Sequence, residues 1–380
     1  MFGGRFASSI GVLGIDFGTR GVKMLQVREH GGQVDVVGAA RVEFTGTDTD
    51  ASLAQRLRAA FISGGFTGRK CIVSLSRSDV RLHSVRLPKM NDEELRQAAV
   101  WEASQRFSLD REAMEVDFIR TGASPQGGEN REEVLLIAAP HAQLYARLEP
   151  IMVSGLRPIA VDCGFLAAAR ALSRQFRREA DRSVVRAVFE IGATGSTIII
   201  LRGDQVAFCK NIPIGGETFD TAVAEHLQLD IASARDLRAA RLSGSVPGAA
   251  RISADEPTDR AVYDAVRPLL ADLTKEVTLC LRYYGVTFRG KPPDRMILTG
   301  DEATEPRLDQ MMKHACKVPV VFDDEQGTVV ALQKKIATAL GRQPGPLGAW
   351  TAAAGLSMRG LSAWKRLQKE ELAMGRRGAA

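Results

Sequence analysis

Two short stretches of the chain place a carboxylate, a glycine turn and a hydroxyl at the same spacing. In 16-DFGTRG-21 these are Asp16, Gly18 with Gly21, and Thr19; in 190-EIGATG-195 they are Glu190, Gly192 with Gly195, and Thr194. A glycine-rich turn exposes backbone N–H groups that can converge on phosphate oxygens, because no Cβ blocks the approach. A carboxylate beside such a turn repels phosphate unless a cation lies between them. Mg²⁺ suits that place, since it takes one or two carboxylates together with water and substrate phosphates. Presented twice across a cleft, these residues describe a Mg-nucleotide clamp. Gly18, Thr19, Gly192, Ala193 and Thr194 would contact phosphate, and Asp16 and Glu190 would reach the metal through water. Taken singly, Asp-x-Gly-Thr fits an ordinary hairpin with an Asx turn equally well; the repetition favours phosphate. Lys23, on the strand after the first turn, either reaches the phosphates or is solvated at the cleft edge.

The elements that must position these residues also repeat. Each acid follows a short apolar strand, and a second strand returns after the turn. A polar bend (28-REHGGQ-33; 202-RGDQ-205) then leads to a third strand. Two copies of one three-stranded meander, 174 residues apart, imply two similar domains facing each other. After the first meander, Leu53, Leu57, Ala60 and Phe61 recur at helical spacing and end in a glycine pair suited to a C-cap. A short strand follows at 70–77. Asn91 with Glu94 is a capping box opening a helix to about Phe107, 121–133 reads as a loop, and 134–140 reads as a buried strand. In the second half, 225–242 reads as one helix and 259–285 as a longer one, with Pro268 expected to kink or break it. The alternation of strand and helix gives an α/β class.

Composition narrows the function classes. Of 380 residues, 45% are hydrophobic and 25% charged, enough for two cores. The net charge of +6 is spread along the chain, clustering only at 174–182 and in the C-terminal tail, so a nucleic-acid stripe is not indicated. Five scattered cysteines without a C-x-x-C pair and five scattered histidines suggest neither a disulfide framework nor a zinc site. The start lacks the apolar core of a signal peptide, and no run of about 18 apolar residues exists to span a membrane.

At the level of motifs, the two hairpins resemble the paired phosphate loops of the actin, Hsp70 and sugar-kinase ATPases. The segment 212-IPIGGETFDTAVAEHL-227 resembles the glycine pair that opens a helix near the nucleotide in Hsp70 and FtsA. The segment 294-DRMILTGDEATEPRLDQMM-312 resembles the strand–glycine loop–helix that contacts adenine and ribose, and 347-LGAWTAAAGLSMR-359 the helix that returns to the first domain. Within that superfamily the chain resembles the PilM family of type IV pilus assembly proteins. The likeness includes the Met-Phe-Gly-Gly start, the segment 87–118 with its Trp-Glu-Ala core and final Asp-Phe, and 155-GLRPIAVDCGFLAAARAL-172.

This resemblance implies an actin-like ATPase fold: two duplicated ribonuclease-H-like domains facing a nucleotide cleft, with an inserted subdomain in the first. It implies a first domain at 1–79 and 139–184, an insert at 80–138, a second domain at 185–345, a return helix at 346–360 and a basic tail at 361–380. It implies ATP and Mg²⁺ as ligands, with Gly215, Gly216, Glu217 and Gly300 near the ribose and adenine. The implied role is a cytoplasmic adaptor that holds the N-terminal tail of a PilN-like inner-membrane protein and links it to pilus or secretion motor components. Self-association is possible, and contact with the membrane is indirect. The groove between the first domain and its insert places Leu95 and Trp101 as candidate partner contacts; both also fit the insert's own core.

The chain departs from the superfamily pattern at three places. The second acid is Glu190 where Asp is usual, Asp301-Glu302 replace glycines in the adenine loop, and no residue stands out as a general base. Asp162 is the candidate for that role, or else the cap of the helix that follows it. Arg235 and Arg238, one turn apart, would flank the base or face water. A small-molecule kinase would need an acid beside its acceptor hydroxyl. An FtsA-like filament protein would need an amphipathic C-terminal helix, and the tail makes a poor apolar stripe.

Overall fold

The computed structural model describes residues 9–31, 33–123, 130–174, 179–244, 257–288, 290–322, 328–341, 345–346 and 348–361. The Met-Phe-Gly-Gly start, most of the 243–250 loop and the tail beyond 361 lie outside them. The first meander is β1 (Ser9–Ile10), β2 (Leu13–Phe17), β3 (Gly21–His30) and β4 (Gln33–Glu43). Then α1 (Asp50–Ser63), capped by Thr49, leads to β5 (Lys70–Leu75). A second unit follows: β6 (Arg81–Pro88), α2 (Asp92–Phe107), β7 (Met114–Ala123) and β8 (Arg131–Pro140). The chain returns through α3 (His141–Val153), β9 (Arg157–Cys163) and α4 (Gly164–Ser173).

The second meander is β10 (Val185–Ile191), β11 (Ser196–Arg202) and β12 (Gln205–Ile212). After it come α5 (Gly216–Leu227), α6 (Ile231–Gly244), α7 (Pro257–Thr287), β13 (Arg295–Thr299), α8 (Leu308–Cys316), β14 (Val320–Phe322) and α9 (Thr328–Leu340). A last helix, α10, covers 351–361.

Two sheets share one topology. In the first, β4-β3-β2-β5-β9 run side by side, with β1 continuing the line of β2 along β3. In the second, β12-β11-β10-β13-β14 do the same. In both, the meander is antiparallel and the later two strands join parallel, as connections through helices require. The matching glycines explain why both hairpins keep their shape. A Cβ on Gly21 would run into Val42 O, and one on Gly195 would stand 2.8 Å from Ile212 O. Each glycine lets the third strand of its meander close over the turn. The fold is that of the actin-like ATPases.

The third sheet, β6-β8-β7, is antiparallel and covered by α2. Asn91 Oδ1 accepts from the Glu93 and Glu94 N–H groups at 3.0 Å each, and Glu94 answers the Asn91 N–H at 3.1 Å, the capping box expected there. Two expectations need correction. The stretch 225–242 is not one helix: Gln228 adopts φ +55 and ends α5, and Asp230 starts α6 by accepting from Ser233 N at 2.9 Å. Of the kink or break expected at Pro268, the break is absent: α7 continues through the proline. Val262, Val266, Leu270, Leu273, Val277 and Tyr284 are buried against the second domain on both sides of the proline, and that packing holds the helix where one backbone bond is missing.

One apolar core passes beneath the contact between the two domains. Leu25, Val27, Phe165 and Leu172 of the first share it with Val188, Ile199, Ile297 and Leu332 of the second, and with Trp350 and Met358 of the final segment. Among the described residues, no helix is long and apolar enough to cross a membrane.

Candidate functional site

The two hairpins face each other as their repetition requires. Asp16 stands near the end of β2 and Glu190 near the end of β10, and both line one cavity with Gly18, Thr19, Gly192, Ala193, Thr194 and Asp301. Each turn is closed by its own backbone bond, Gly18 N to Gly21 O at 2.9 Å and Gly192 N to Gly195 O at 3.0 Å. Ser74 Oγ donates to Asp16 Oδ1 at 2.8 Å while accepting from the Phe17 N–H at 2.9 Å, which fixes the carboxylate's rotamer. Burial pushes the Asp16 carboxyl above the usual range, although Lys23 and Ser74 act against it.

Charged side chains bridge the cleft. From the first domain, Arg77 grips the second hairpin: its guanidinium pairs with Glu190, donates to Gly195 O, and donates to Thr197 Oγ1 at 2.7 Å. Lys23 Nζ lies 2.8 Å from both oxygens of Asp301. Burial alone would raise the Asp301 carboxyl, but Lys23, with Arg41 and Arg20, more than offsets it and holds it below the usual range. Arg20 reaches Asp220 at 3.0 Å and Glu302 at 3.1 Å. Lys23 is thus not solvated at the cleft edge: it is 7% exposed and bound to the Asp301 carboxylate.

Behind these pairs lies a buried ionic network. Arg238 is 1% exposed and donates to Asp220 at 2.6 Å, Glu302 at 2.8 Å, Glu305 at 2.6 Å and Gly216 O at 3.0 Å. Its guanidinium lies over the Phe219 ring, 4.9 Å from the guanidinium carbon to the ring centroid. Burial works against its charge, and Glu305, Glu302 and Asp220 more than offset that, so it stays protonated. Arg241 extends the network to Asp259 at 2.5 Å, and Arg235 reaches Asp220 at 3.2 Å. Arg238 therefore neither flanks an open base site nor faces water. The break between α5 and α6, absent from the sequence reading, sets the course of the helix that carries it.

The residues around the cleft are a poor match to ATP as placed here. A Cβ on Gly216 would strike the Glu302 carboxylate, and one on Gly215 would lie 2.5 Å from Gly192 O. The glycine pair is packed shut. The Gly216 and Glu217 N–H groups are spent on Gly192 O and Ala193 O, at 3.0 and 2.8 Å. Gly300 turns the chain after β13, and the Glu302 N–H that follows is bound to Ile191 O at 3.1 Å. The cavity between the hairpins measures about 90 Å³, against roughly 300 Å³ or more for a typical ligand pocket. For Mg²⁺, Glu190 is already neutralised by Arg77. Among the described residues, no group of three or more His, Cys, Asp or Glu side chains is placed to hold a metal.

Asp162 lies elsewhere. Its carboxylate pairs with Arg170 and Arg359, both at 2.9 Å, and it lines a second, larger cavity away from both turns. It is a strut between β9, α4 and α10 rather than a base in the cleft. Its Oδ1 accepts the Cys163 N–H at 2.8 Å, but the N-cap of α4 is Cys163 and no side chain caps that helix, so Asp162 does not take the capping role either.

This larger cavity is a groove of about 1000 Å³ where the first domain, the third sheet and the second domain meet. Val80, Ile137, Leu144 and Val161 line it on one side and Leu201 and Val206 on the other, with Arg96, Glu115 and Tyr145 among its polar residues. Leu95 is fully buried in the core under α2 and has no surface to offer a partner; Trp101 is 49% exposed but does not line the groove. Sequence reasoning missed Ser74, Arg77, Asp220 and Glu305. Arg77 had a signal: a cation just past a strand parallel and adjacent to β2, at the strand ends where such sheets build their sites.

Comparison with known proteins fits this architecture. A family model described as type IV pilus assembly protein PilM matches residues 14–361. The chain is similar to a chain of the solved PilM-PilN type IV pilus biogenesis complex, at 21% identity and a TM-score of 0.72, covering 92% of this chain and 98% of that one. It is also similar in fold to the ethanolamine utilization protein EutJ from Carboxydothermus hydrogenoformans, at 12% identity and a TM-score of 0.50, covering 93% and 90%.

Proposed function

This chain belongs to the PilM family of type IV pilus assembly proteins, and we propose that it is a cytoplasmic scaffold whose groove holds the N-terminal tail of a PilN-like inner-membrane protein. The observation that carries this reading is the groove itself. It is apolar along its walls and polar at Arg96, Glu115, Asp117 and His141, and its volume of about 1000 Å³ is large enough to take an extended segment. A peptide there would bury alternate apolar side chains against Ile137, Leu144 and Val206 while its backbone stays near the polar residues. The solved relative named as a PilM-PilN complex supports the choice of partner. Through that partner the scaffold would sit beside the inner membrane and connect to motor components of the pilus or a related secretion platform.

The test is fluorescence anisotropy with a labelled synthetic peptide copying the cytoplasmic tail of the PilN-like protein from the same genome. Saturable binding that weakens when Ile137 is changed to Asp is expected. Absence of binding, or binding indifferent to Ile137→Asp in a folded variant, would remove the groove from the account.

A further inference from the structure

We propose that this chain has replaced nucleotide with its own side chains: Arg238, Asp220, Glu302 and Glu305 fill the adenosine half of the cleft, and Arg20, Lys23 and Arg77 latch the two domains together without ATP. The inference concerns the cleft and does not rest on the groove reading.

Three observations carry it. First, the filling is complete. Arg238 and its three carboxylate partners are each 2% exposed or less, and the network is closed by Phe219 on one side and Gly216 on another. An adenine ring would have to expel a guanidinium and leave three carboxylates buried without their cation, which is far costlier than displacing water. Second, three cations that the first domain aims across the cleft already have carboxylates from the second: Arg20 has Asp220 and Glu302, Lys23 has Asp301, and Arg77 has Glu190. A polyphosphate would compete with these fixed anions for the same cations, and would meet Asp16 as well. Third, the acids by which the chain departs from its superfamily, Glu190 and Asp301-Glu302, are among those that make the latch. The departures and the cations are two halves of one device.

The same ion pairs set the distance between the domains that nucleotide would otherwise bridge. Binding energy that a ligand would supply from outside is built into the chain, so the closed arrangement does not depend on ligand concentration.

The experiment is calorimetry on the nucleotide-stripped full chain with MgATP, together with pulsed dipolar spectroscopy between spin labels at the exposed positions Asp50 and Lys313. Expected is no binding heat for a Kd below about 1 mM, no rise in Tm, and an interdomain distance unchanged by MgATP. In the double variant Arg20→Gln, Lys23→Met, which removes the cross-cleft pairs of Arg20 and Lys23 while Arg238 still holds Asp220, Glu302 and Glu305, the distance distribution should lengthen or broaden. Micromolar MgATP binding by the wild type would overturn the replacement. A double variant with an unchanged distance would overturn the latch. The tail peptide, measured on the same samples, separates the two readings: failure of peptide binding counts against the groove and leaves the cleft result standing.

Discussion

The cleft and the groove are both seams between the same two domains, and they are built in opposite ways. The cleft is walled by charge and nearly full, about 90 Å³ between its hairpins, whereas the groove is walled by apolar side chains and holds about 1000 Å³. In the cleft Arg20, Lys23 and Arg77 each have a carboxylate from across the seam, and Arg238 has three from its own side. The groove is lined by Ile137 and Val161 from one side of the seam and by Leu201 and Val206 of the second domain. A seam that satisfies itself closes, and one that cannot is left to be completed by something else. The ancestry of a fold therefore does not say which of its seams a given member uses.

The largest effect that would break this contrast is expected at Arg238. Replacing it with Met leaves Asp220, Glu302 and Glu305 buried without their cation, and should cost about 3–5 kcal/mol in urea denaturation. A loss under about 1 kcal/mol would mean the network opens readily to water, and the cleft would no longer count as self-satisfied.

On the groove side, Tyr145 lines the cavity while 63% exposed, so Tyr145→Ala should leave the fold intact. It should weaken tail-peptide binding roughly tenfold, the scale of a single aromatic contact at an interface. Unchanged affinity would move the peptide away from this wall.

A smaller effect is expected at Asp16, and its sign depends on pH. The folded-state pKa lies above the unfolded value because of burial, so the folded protein holds the proton more tightly. Stability contributed by this group is present below the unfolded pKa and falls as pH rises through the folded one. Asp16→Asn, which does not titrate, should therefore be more stable than wild type at pH 7, with the gap closing as pH drops towards 4. Parallel thermal melts of the two proteins across that range would reveal it. A gap constant with pH would mean Asp16 is not destabilised by its surroundings.

The smallest effect sharpens the contrast by its absence. Trp101→Ala, at an exposed position off the groove, should change peptide affinity by less than about twofold. A larger drop, measured by the same anisotropy titration, would extend the binding surface onto α2.

Much of the fold was legible because it is encoded locally. The duplicated Gly18/Gly21 and Gly192/Gly195 turns, the Asn91-Glu94 box and the apolar spacing of α1 each act within a few residues, and each element formed there. The Asp230–Ser233 cap that divides α5 from α6 was also local; it was hidden by an apolar rhythm that continues across the break. What could not be read was long-range. Arg238 looks like any helix arginine until Glu302 and Glu305, more than 60 residues later, close over it. Asp162 sits at a strand end in the right order for a catalytic acid, and only the fold shows Arg170 and Arg359 holding it in a different cavity. The groove has no sequence signature, since its walls come from three units that meet only in space.

The apolar core that runs beneath both domains has a thermodynamic consequence. Two halves with separate cores, joined by a hinge, ordinarily melt as separate units and give two overlapping heat-absorption peaks. Here Leu25 and Phe165 of one half and Val188 and Leu332 of the other lie in one buried cluster, so neither half can lose its interior without exposing part of its neighbour's. Scanning calorimetry should register the domains as a single all-or-none transition, with the calorimetric and van't Hoff enthalpies in agreement.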